Sequence, residues 1–218
     1  MEVVQSPRST LRRKKERGRH DRRSIDAILD EGLFCHVGFT DGDSIFVLPM
    51  AYAPVDDQLF LHGASGNHLL RRLASGVEAC VTVTLVDGLV FARSAFHHSM
   101  NYRSVVLFGT AHSITDLEMK RRAVLAIVDH VAPGRSVDVR TPSDAELRST
   151  LVVSFPIVEG SAKVRTGGPI EEAGDLELPV WAGQLPLHLQ SGEPIPDDGL
   201  GEQVPIPPYV ANFPQRRP

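Results

Sequence analysis

The chain has 218 residues, 42% of them hydrophobic, and a formal net charge of -4. This length and composition allow a substantial buried core, which excludes a collagen, a coiled coil and a wholly disordered chain. No run of about 18 apolar residues occurs, which excludes a membrane-spanning helix, and 18 glycines with 16 prolines indicate many turns and hence many strands.

A basic arm, residues 1–20, comes first and contains the run Arg12-Arg13-Lys14-Lys15-Glu16-Arg17-Gly18-Arg19. A run of like charges without an apolar stripe predicts a mobile, solvated tail, with a phosphate-binding arm as the alternative. The rest of the chain is acidic, so we expect no extensive nucleic-acid binding. The start lacks an apolar signal core, and we expect neither export nor membrane attachment. Cys35 and Cys80 lie in apolar segments without metal-ligand spacing, so we expect reduced thiols in a cytoplasmic protein and no metal site.

A short helix is expected next, capped by Ser24, burying Ile25, Ile28 and Leu29 and ending at Gly32. Apolar stretches bounded by turn residues then predict seven strands: Leu33–Phe39, Ile45–Ala53, Gln58–His62, Val77–Val86, Leu89–Ala95, Ser104–Ile114 and Leu151–Ile157. The first three follow one another through tight turns and predict an antiparallel meander. Asp87-Gly88 is interpreted as another turn.

Helical patterns are fewer than strand patterns. One helix is predicted from Leu69 to Gly76, and capping boxes at Thr115–Glu118 and Ser143–Glu146 predict two more. Because the strands come in runs and do not alternate with helices, we predict a mainly β (α+β) fold. Its antiparallel sheet would close into a small barrel with peripheral helices, forming one domain over residues 21–190. Residues 191–218 are predicted to be an extended, proline-rich C-terminal segment.

The turn Gly63–His68 is the first candidate site, because it lies between a strand and a helix start. Glycines allow a ligand close to the backbone, and N–H groups at a helix start favour an anion. Ser65, Asn67 and His68 add polar groups, and Arg71 and Arg72 follow one turn later. The pattern indicates phosphate binding, with an ordinary turn capped by Ser65 as the alternative.

Two further segments are candidates. Residues 92–104 hold two histidines, two arginines, three serines, one asparagine and one tyrosine between strands, which favours a ligand or subunit boundary. The adjacent His97 and His98 are expected to point apart, which argues against a metal site. Lys163 and Arg165 alternate along a strand and so face one side, where an anionic partner would fit. Trp181 is suited to stacking on an aromatic ligand or to a core or interface position.

Six blocks of sequence carry a resemblance beyond these motifs, and the block 92–108 is the most specific of them. They are the basic run of the arm, Cys35–Phe39, Leu61–Ser65, Val81–Val90, Ala92–Phe108 and Ser161–Gly167, with Leu178–Leu185 extending the likeness. Over roughly residues 12–190 the chain resembles the pyridoxamine 5′-phosphate oxidase-like, flavin-nucleotide-binding proteins, in the branch of the 5-nitroimidazole-resistance-type proteins.

The resemblance implies an FMN-binding split β-barrel that works as a homodimer with FMN at the subunit interface. It implies these cofactor-binding residues: Pro49, Met50, Ala51, His62, Gly63, Ala64, Ser65, Asn67, His68, Arg71, Arg103, Ser104, Lys163 and Trp181. Classical oxidases of the group use an Arg-Lys pair at the phosphate turn, where this chain has Asn67 and His68. Phosphate affinity is then expected to depend on backbone N–H groups and on Arg71 or Arg72.

The function that follows is an FMN-dependent oxidoreductase with a small-molecule substrate that the sequence does not name. No counterpart of the pyridoxamine-phosphate pocket is found, which argues against vitamin-B6 oxidase activity. A flavin transfers hydride or electrons without a protein acid or base, so the lack of a catalytic constellation does not exclude an enzyme. The alternatives are a non-catalytic flavin- or haem-binding storage or sensor protein, a ligand-free dimer, and a deazaflavin in place of FMN.

Overall fold

A computed structural model describes residues 3–201 and 203–213, and within these ranges it contains eleven strands and five α-helices. The strands are β1 (Gly18–Arg19), β2 (Phe34–Asp41), β3 (Ser44–Ala51), β4 (Ala53–Val55), β5 (Gln58–Ala64), β6 (Glu78–Phe91), β7 (Ser99–Thr110), β8 (His112–Ile114), β9 (Thr150–Pro156), β10 (Glu159–Arg165) and β11 (Gly183–Pro186). The helices are α1 (Arg22–Glu31), α2 (His68–Ala74), α3 (Leu117–Val131), α4 (Asp144–Ser149) and α5 (Pro208–Ala211).

The strands form two sheets, and every pairing between two of these strands is antiparallel. The larger sheet has the order β1-β10-β7-β6-β2-β3, with β11 also on β6, and the smaller has the order β4-β5-β9-β8. The predicted antiparallel, mainly β fold with peripheral helices is therefore confirmed. Among the described residues, hydrogen bonding does not close either sheet on itself, so the architecture is that of two sheets around a core.

Apolar side chains fill the space between the sheets because the strand pattern alternates. Cys35, Val37 and Phe39 of β2 are buried there, as is the predicted stripe of α1, and they belong to one cluster. A smaller cluster joins α3 to the outer face of the second sheet: Ala53, Phe60, Ala123, Ile127 and Val152. Helix α3 thus covers the sheet that carries β5.

The predicted meander is wrong, because the chain changes sheets between β3 and β4. Tyr52 lies at the change and is fully buried, and its hydroxyl donates a hydrogen bond to the Leu29 carbonyl at 2.6 Å. The predicted turn at Asp87-Gly88 is also wrong, because β6 runs through it with a bulge between Val86 and Gly88. A Cβ on Gly88 would lie 2.9 Å from the Leu185 carbonyl oxygen, so this glycine permits the close approach of β11.

Side chains cap the first three long helices, but they are not the predicted ones. In each case the side chain accepts the N–H of the third helical residue, and the caps of α1, α2 and α3 are Asp21, Asn67 and Asp116. The sequence predicts, in the same order, Ser24, Ser65 and Thr115. The capping box Ser143–Glu146 at α4 is confirmed.

The basic arm, predicted to be mobile, lies against the larger sheet from residue 3 onward. Val3 is buried, β1 pairs with β10, and Arg8 forms ion pairs with Glu78 and Glu159. Residues 191–201 and 203–207 are almost wholly exposed and lack helix and strand. Parts of the two predicted terminal segments, residues 1, 2, 202 and 214–218, lie outside the described residues. Within the described ranges, no helix has both the length and the apolar composition to cross a membrane.

Candidate functional site

The turn between β5 and α2 lies directly beside β3. A Cβ on Gly63 would be 2.9 Å from Leu70 Cδ1, which is too close, and 3.8 Å from Met50 Cε, which is ordinary contact. Pro49 and Ala51 flank Met50 and are exposed. The structure therefore brings Met50 of β3 next to Gly63 of the turn.

Several polar groups of this turn are already used by the fold. The Ser65 N–H donates to the Ser149 carbonyl at 3.1 Å, and the Asn67 N–H donates to the Ala64 carbonyl at 2.9 Å. The Asn67 side chain caps α2 by accepting the Leu70 N–H at 3.1 Å. The expectation that backbone N–H groups throughout this turn bind a phosphate is therefore wrong for Ser65 and Asn67, and cationic side chains become the more important donors.

An open cavity of about 450 Å³ adjoins the turn and is lined by Asp41, Gly66, His68, Arg71, Arg72 and Ser75. Asp41 Oδ2 lies 2.8 Å from His68 Nε2, and Asp41 Oδ1 lies 3.1 Å from Arg72 Nε. That second contact lacks hydrogen-bond geometry, and Arg72 Nε is a buried donor without a hydrogen bond. One imidazole and one guanidinium thus face one carboxylate, Arg71 adds a second guanidinium to the lining, and the unsatisfied donor makes the cavity suited to an anionic ligand.

Aromatic neighbours fix the position of His68 at this cavity. Its ring lies 5.8 Å from the ring of Phe39 and 5.4 Å from that of Phe46, measured between centroids. The two phenylalanines are themselves stacked at 5.3 Å. His68 is therefore held between an aromatic pair and Asp41, and its imidazole faces the cavity from one defined direction.

His62 does not join the group at the turn. Side chains alternate along a strand, so His62 shares a face with Phe60, which packs in the cluster beneath α3. Burial lowers the pKa of His62 and favours its neutral form. Its Nδ1 is buried without a hydrogen-bond partner. The side chain lies on the opposite face of β5 from the one that meets Met50.

The remaining predicted residues lie away from the turn within the chain. Ser104 of β7 pairs with Lys163 of β10, while β6 and β2 separate them from β3. Three strand spacings correspond to about 14 Å across the sheet. Trp181 lies just before β11 and is 68% exposed. The single chain therefore does not bring the complete predicted set together at one place.

Arg103 is bound by two carboxylates that sequence reasoning did not find. Its Nε and Nη2 donate to Asp87 at 2.9 and 2.8 Å, and Nη2 also donates to Glu31 at 2.9 Å. These hydrogen bonds, with that to Asp87 the strongest cause, raise the pKa of Arg103 above its ordinary value. Its guanidinium links α1, β6 and β7 and is not available to a cofactor phosphate.

The loop between β6 and β7 contains the two adjacent histidines. Arg93 at its start is paired with Glu171, whose side chain is only 4% exposed. His97 Nε2 lies 4.0 Å from Glu172, whereas His98 Nδ1 lies 3.0 Å from the Ser94 carbonyl oxygen. Among residues 3–201 and 203–213, no group of three or more His, Cys, Asp or Glu side chains is arranged to hold a metal ion.

Comparisons with known proteins agree with this architecture. Residues 21–164 match the sequence model of a family described as pyridoxamine 5′-phosphate oxidase. The flavocytochrome Anf3 from Azotobacter vinelandii is 36% identical, with a TM-score of 0.88 over 95% of this chain and 96% of that chain. The FAD and haem binding protein from Mycobacterium smegmatis is 34% identical, with a TM-score of 0.88 over 93% and 100% of the two chains.

A more distant similarity is to a candidate 5-nitroimidazole antibiotic resistance protein from Bacteroides thetaiotaomicron. It is 27% identical, with a TM-score of 0.56 over 67% of this chain and 86% of that chain. A comparison with curated protein sequences finds no match. The first two structures thus each cover more than nine-tenths of this chain.

Proposed function

The chain belongs to the pyridoxamine 5′-phosphate oxidase family, and from this premise we propose that it is a flavin-dependent oxidoreductase. The observation that carries the proposal is the arginine-lined cavity along α2, the helix that follows the turn containing Gly63. It offers an anion site, while Met50 and the exposed Pro49 and Ala51 of β3 offer a surface beside Gly63 for the flavin ring. The match to the family's sequence model confirms the resemblance found in the sequence, while the choice of flavin belongs to the proposal.

We place the phosphate of the flavin against Arg71, Arg72 and His68, and its ring against residues 49–51. The unsatisfied Nε of Arg72 favours this placement, because a phosphate oxygen is a strong acceptor for a guanidinium N–H. FMN is the expected nucleotide. FAD, which is named for the Mycobacterium smegmatis protein, carries the same phosphate chemistry and is the alternative form.

A bound flavin supplies hydride or electron transfer, and the protein supplies its binding and orientation. In this chain, Gly63 keeps the β5 backbone clear of a side chain beside Met50, and the Phe39–Phe46 pair orients His68. We expect a small-molecule substrate to reach the exposed Pro49 and Ala51 and the half-buried Met50 between them. The two free cysteines are compatible with the cytoplasmic location expected from the sequence.

We further propose a homodimer with the flavin at the interface. The two groups of predicted residues are separated within one protomer, and a second copy would supply Ser104 and Lys163 to the turn of the first. Strand β3 favours this arrangement, because it is an edge strand that leaves large apolar side chains exposed. Ile45 is 80% exposed and Val47 is 61% exposed. An edge strand with exposed apolar side chains is usually covered by another part of the chain or by a second protein copy.

A second candidate function is haem binding, with or without catalysis. It is favoured by the similarity to a flavocytochrome and to an FAD and haem binding protein over more than nine-tenths of this chain. In a protein with both groups, electrons would pass between flavin and haem. In a storage or sensor protein, one or both groups would be held without turnover. These possible functions share the flavin site, and they differ in whether the bound groups are reduced and reoxidised.

The test begins with the purified protein and mass spectrometry of whatever small molecule is bound. FMN or FAD is expected, with a flavin absorption band that a reduced nicotinamide nucleotide bleaches and an added acceptor restores. Titration of the flavin-free protein should give tighter binding of FMN than of riboflavin, which lacks the phosphate, and Arg72→Ala should reduce this difference. Equal affinity for both flavins in the wild type would contradict the placement of the phosphate.

Binding of flavin without bleaching by any tested reductant would favour the storage or sensor function. Light scattering checks the assembly, with a particle of twice the chain mass expected. A stable monomer that binds flavin at full affinity would contradict the interface site.

A further inference from the structure

The imidazole of His98 is oriented by one hydrogen bond within its own loop. Its Nδ1 lies 3.0 Å from the carbonyl oxygen of Ser94, four residues earlier in the same loop. A carbonyl oxygen only accepts hydrogen bonds, so Nδ1 must carry the hydrogen. In the neutral ring the lone pair then lies on Nε2.

The Nε2 atom is left open. Within the part of the chain that the structure describes, no hydrogen bond or ion pair involves His98 Nε2, and the residue is exposed. Histidines that ligate a metal commonly donate their other ring N–H to a carbonyl or a carboxylate, which fixes the tautomer and the ring direction. His98 shows that arrangement, with the ligating position facing outward.

One aromatic ring contacts the imidazole, and a second contacts the first. The rings of His98 and Phe91 meet edge to face at 6.0 Å, and Phe91 lies 5.8 Å from the ring of Trp181. Trp181 is 68% exposed. A large aromatic side chain left in solvent near an open histidine provides the kind of surface that a planar macrocycle covers.

The loop also contains polar atoms without partners. Arg93 Nε and Ser94 Oγ are buried and make no hydrogen bond in the described structure. Native proteins leave few such atoms, and each one points to a missing partner. Both belong to residues within five positions of His98, and both are able to donate a hydrogen bond to a carboxylate.

We propose that His98 Nε2 is an axial ligand to the iron of a haem bound at the surface formed by Phe91 and Trp181. The proposal rests on the haem-binding part of the proposed function. A haem supplies four nitrogen ligands of its own, so it needs one or two protein ligands and not the cluster of three or more that the described residues lack. Its propionates are carboxylates of the kind that Ser94 Oγ would bind, together with the Nε that Arg93 leaves unused in its pair with Glu171.

The neighbouring His97 provides a matched control. Its Nε2 faces the exposed carboxylate of Glu172 at 4.0 Å, and its ring lies 5.2 Å from that of Phe96, so its Nε2 has a protein partner that the Nε2 of His98 lacks. The two histidines are adjacent in sequence and identical in chemistry. A difference between their substitutions therefore reports the position of the ring and not a general loss of imidazole.

The experiment adds haemin to the full-length protein and to His98→Ala and His97→Ala, and records absorption and electron paramagnetic resonance spectra of the ferric state. Quenching of the chain's single tryptophan, Trp181, gives the affinity. We expect His98→Ala to lose the histidine-ligated spectrum and to bind haemin at least tenfold more weakly. His97→Ala should keep the spectrum and stay within twofold in affinity. In His98→Gly, added imidazole should restore the histidine-ligated spectrum. Thermal unfolding and flavin content check that each variant folds.

Each outcome has a distinct meaning. An unchanged spectrum in His98→Ala, or a loss confined to His97→Ala, would overturn the assignment of the ligand while leaving haem binding in place. Failure of the wild type to bind haemin would overturn both the assignment and the haem-binding part of the proposed function, whereas flavin binding would stand. Loss of the spectrum in His98→Ala with rescue by imidazole in His98→Gly would support the assignment.

Discussion

Asp41 Oδ2 lies 2.8 Å from His68 Nε2, which places a carboxylate inside the cavity where the phosphate of a flavin is proposed to bind. Asp41 comes from the end of β2 and His68 from the start of α2. An anionic ligand entering this cavity must compete with Asp41 for His68 and for Arg72. If the phosphate binds as proposed, substituting either residue should change its affinity in a predictable direction.

The first prediction is that Asp41→Asn binds FMN more tightly than the wild type. The change removes one negative charge near the phosphate and keeps the size of the side chain, and screened charges at this range are expected to alter affinity about three- to tenfold. Titrations with FMN and riboflavin check this, and riboflavin should bind both proteins alike. Asp43→Asn, in the same turn but outside the cavity, serves as the control and should change neither. Weaker FMN binding by Asp41→Asn would instead mean that Asp41 contacts the ligand as an acceptor.

A second prediction concerns the ion pairs of Arg103. Arg103→Ala leaves Glu31 and Asp87 facing each other without a cation, in a site where the side chains of all three residues are largely buried. We expect the free energy of unfolding to fall by about 2–3 kcal/mol, since removal of one partner strands the others. Arg140→Ala removes an exposed surface pair with Glu146, which water and salt screen, and should change the free energy of unfolding much less than Arg103→Ala does. Urea unfolding of both variants measures the two changes in free energy of unfolding. Equal changes would contradict the expectation that the more buried ion pairs contribute more.

The arm gives a prediction for acid stability. The pKa of Glu159 is lowered from its ordinary 4.5 to about 2, chiefly by the hydrogen bond from Arg8. A carboxylate whose pKa is lower in the folded state contributes stability that is fully present above about 4.5 and lost as the pH falls towards about 2. In Arg8→Gln, the free energy of unfolding should therefore fall less steeply across this window. Arg12→Gln, an exposed arginine of the same arm, should keep the wild-type slope, and a shared slope in all three proteins would show that the Arg8 contact is not maintained in solution.

Packing at Gly160 of β10 provides a fourth prediction. A Cβ at this position would lie 2.5 Å from the Val106 carbonyl oxygen, and backbone does not yield as a flexible side chain does. Gly160→Ala should destabilise the protein by about 1–3 kcal/mol, seen as a lower thermal midpoint. Gly192 has nothing within 4 Å, so Gly192→Ala should be neutral or slightly stabilising through the unfolded chain. A neutral Gly160→Ala would require β7 and β10 to separate locally.

Local sequence patterns predicted the helices and strands of this fold better than they predicted which strands pair with each other. The buried stripe of α1 and the capping box of α4 each depend on residues within one or two turns, and both were correctly predicted. The assignment of β3 and β4 to different sheets was not, because alternation reports which face is apolar and does not say which sheet the strand joins. Gly88 was misinterpreted for a related reason, since the backbone that it accommodates, Leu185, lies far away in sequence.

The candidate site shows the same division. The sequence indicated the turn at Gly63–His68 and its arginines, and the structure brings that turn to Met50. The sequence did not indicate Asp41 as part of the site, because the contact of Asp41 with His68 depends on the approach of β2 to α2. Arg103 was predicted to bind the cofactor, yet the fold directs Glu31 and Asp87 to its guanidinium. Long-range charge pairing is set by the topology, and a single sequence does not reveal it.

The burial of Tyr52 has a consequence for how the molecule opens. Its hydroxyl is bonded to α1 through Leu29, its ring lies 4.8 Å from that of His130 in α3, and His130 Nε2 lies 2.7 Å from the Gly32 carbonyl oxygen. The point where the chain passes between the sheets is therefore tied to both helices at once. Because neither sheet separates without breaking these contacts, the two should unfold as one cooperative unit. The slowest-exchanging amides of β2 and β5 should then share a single opening free energy.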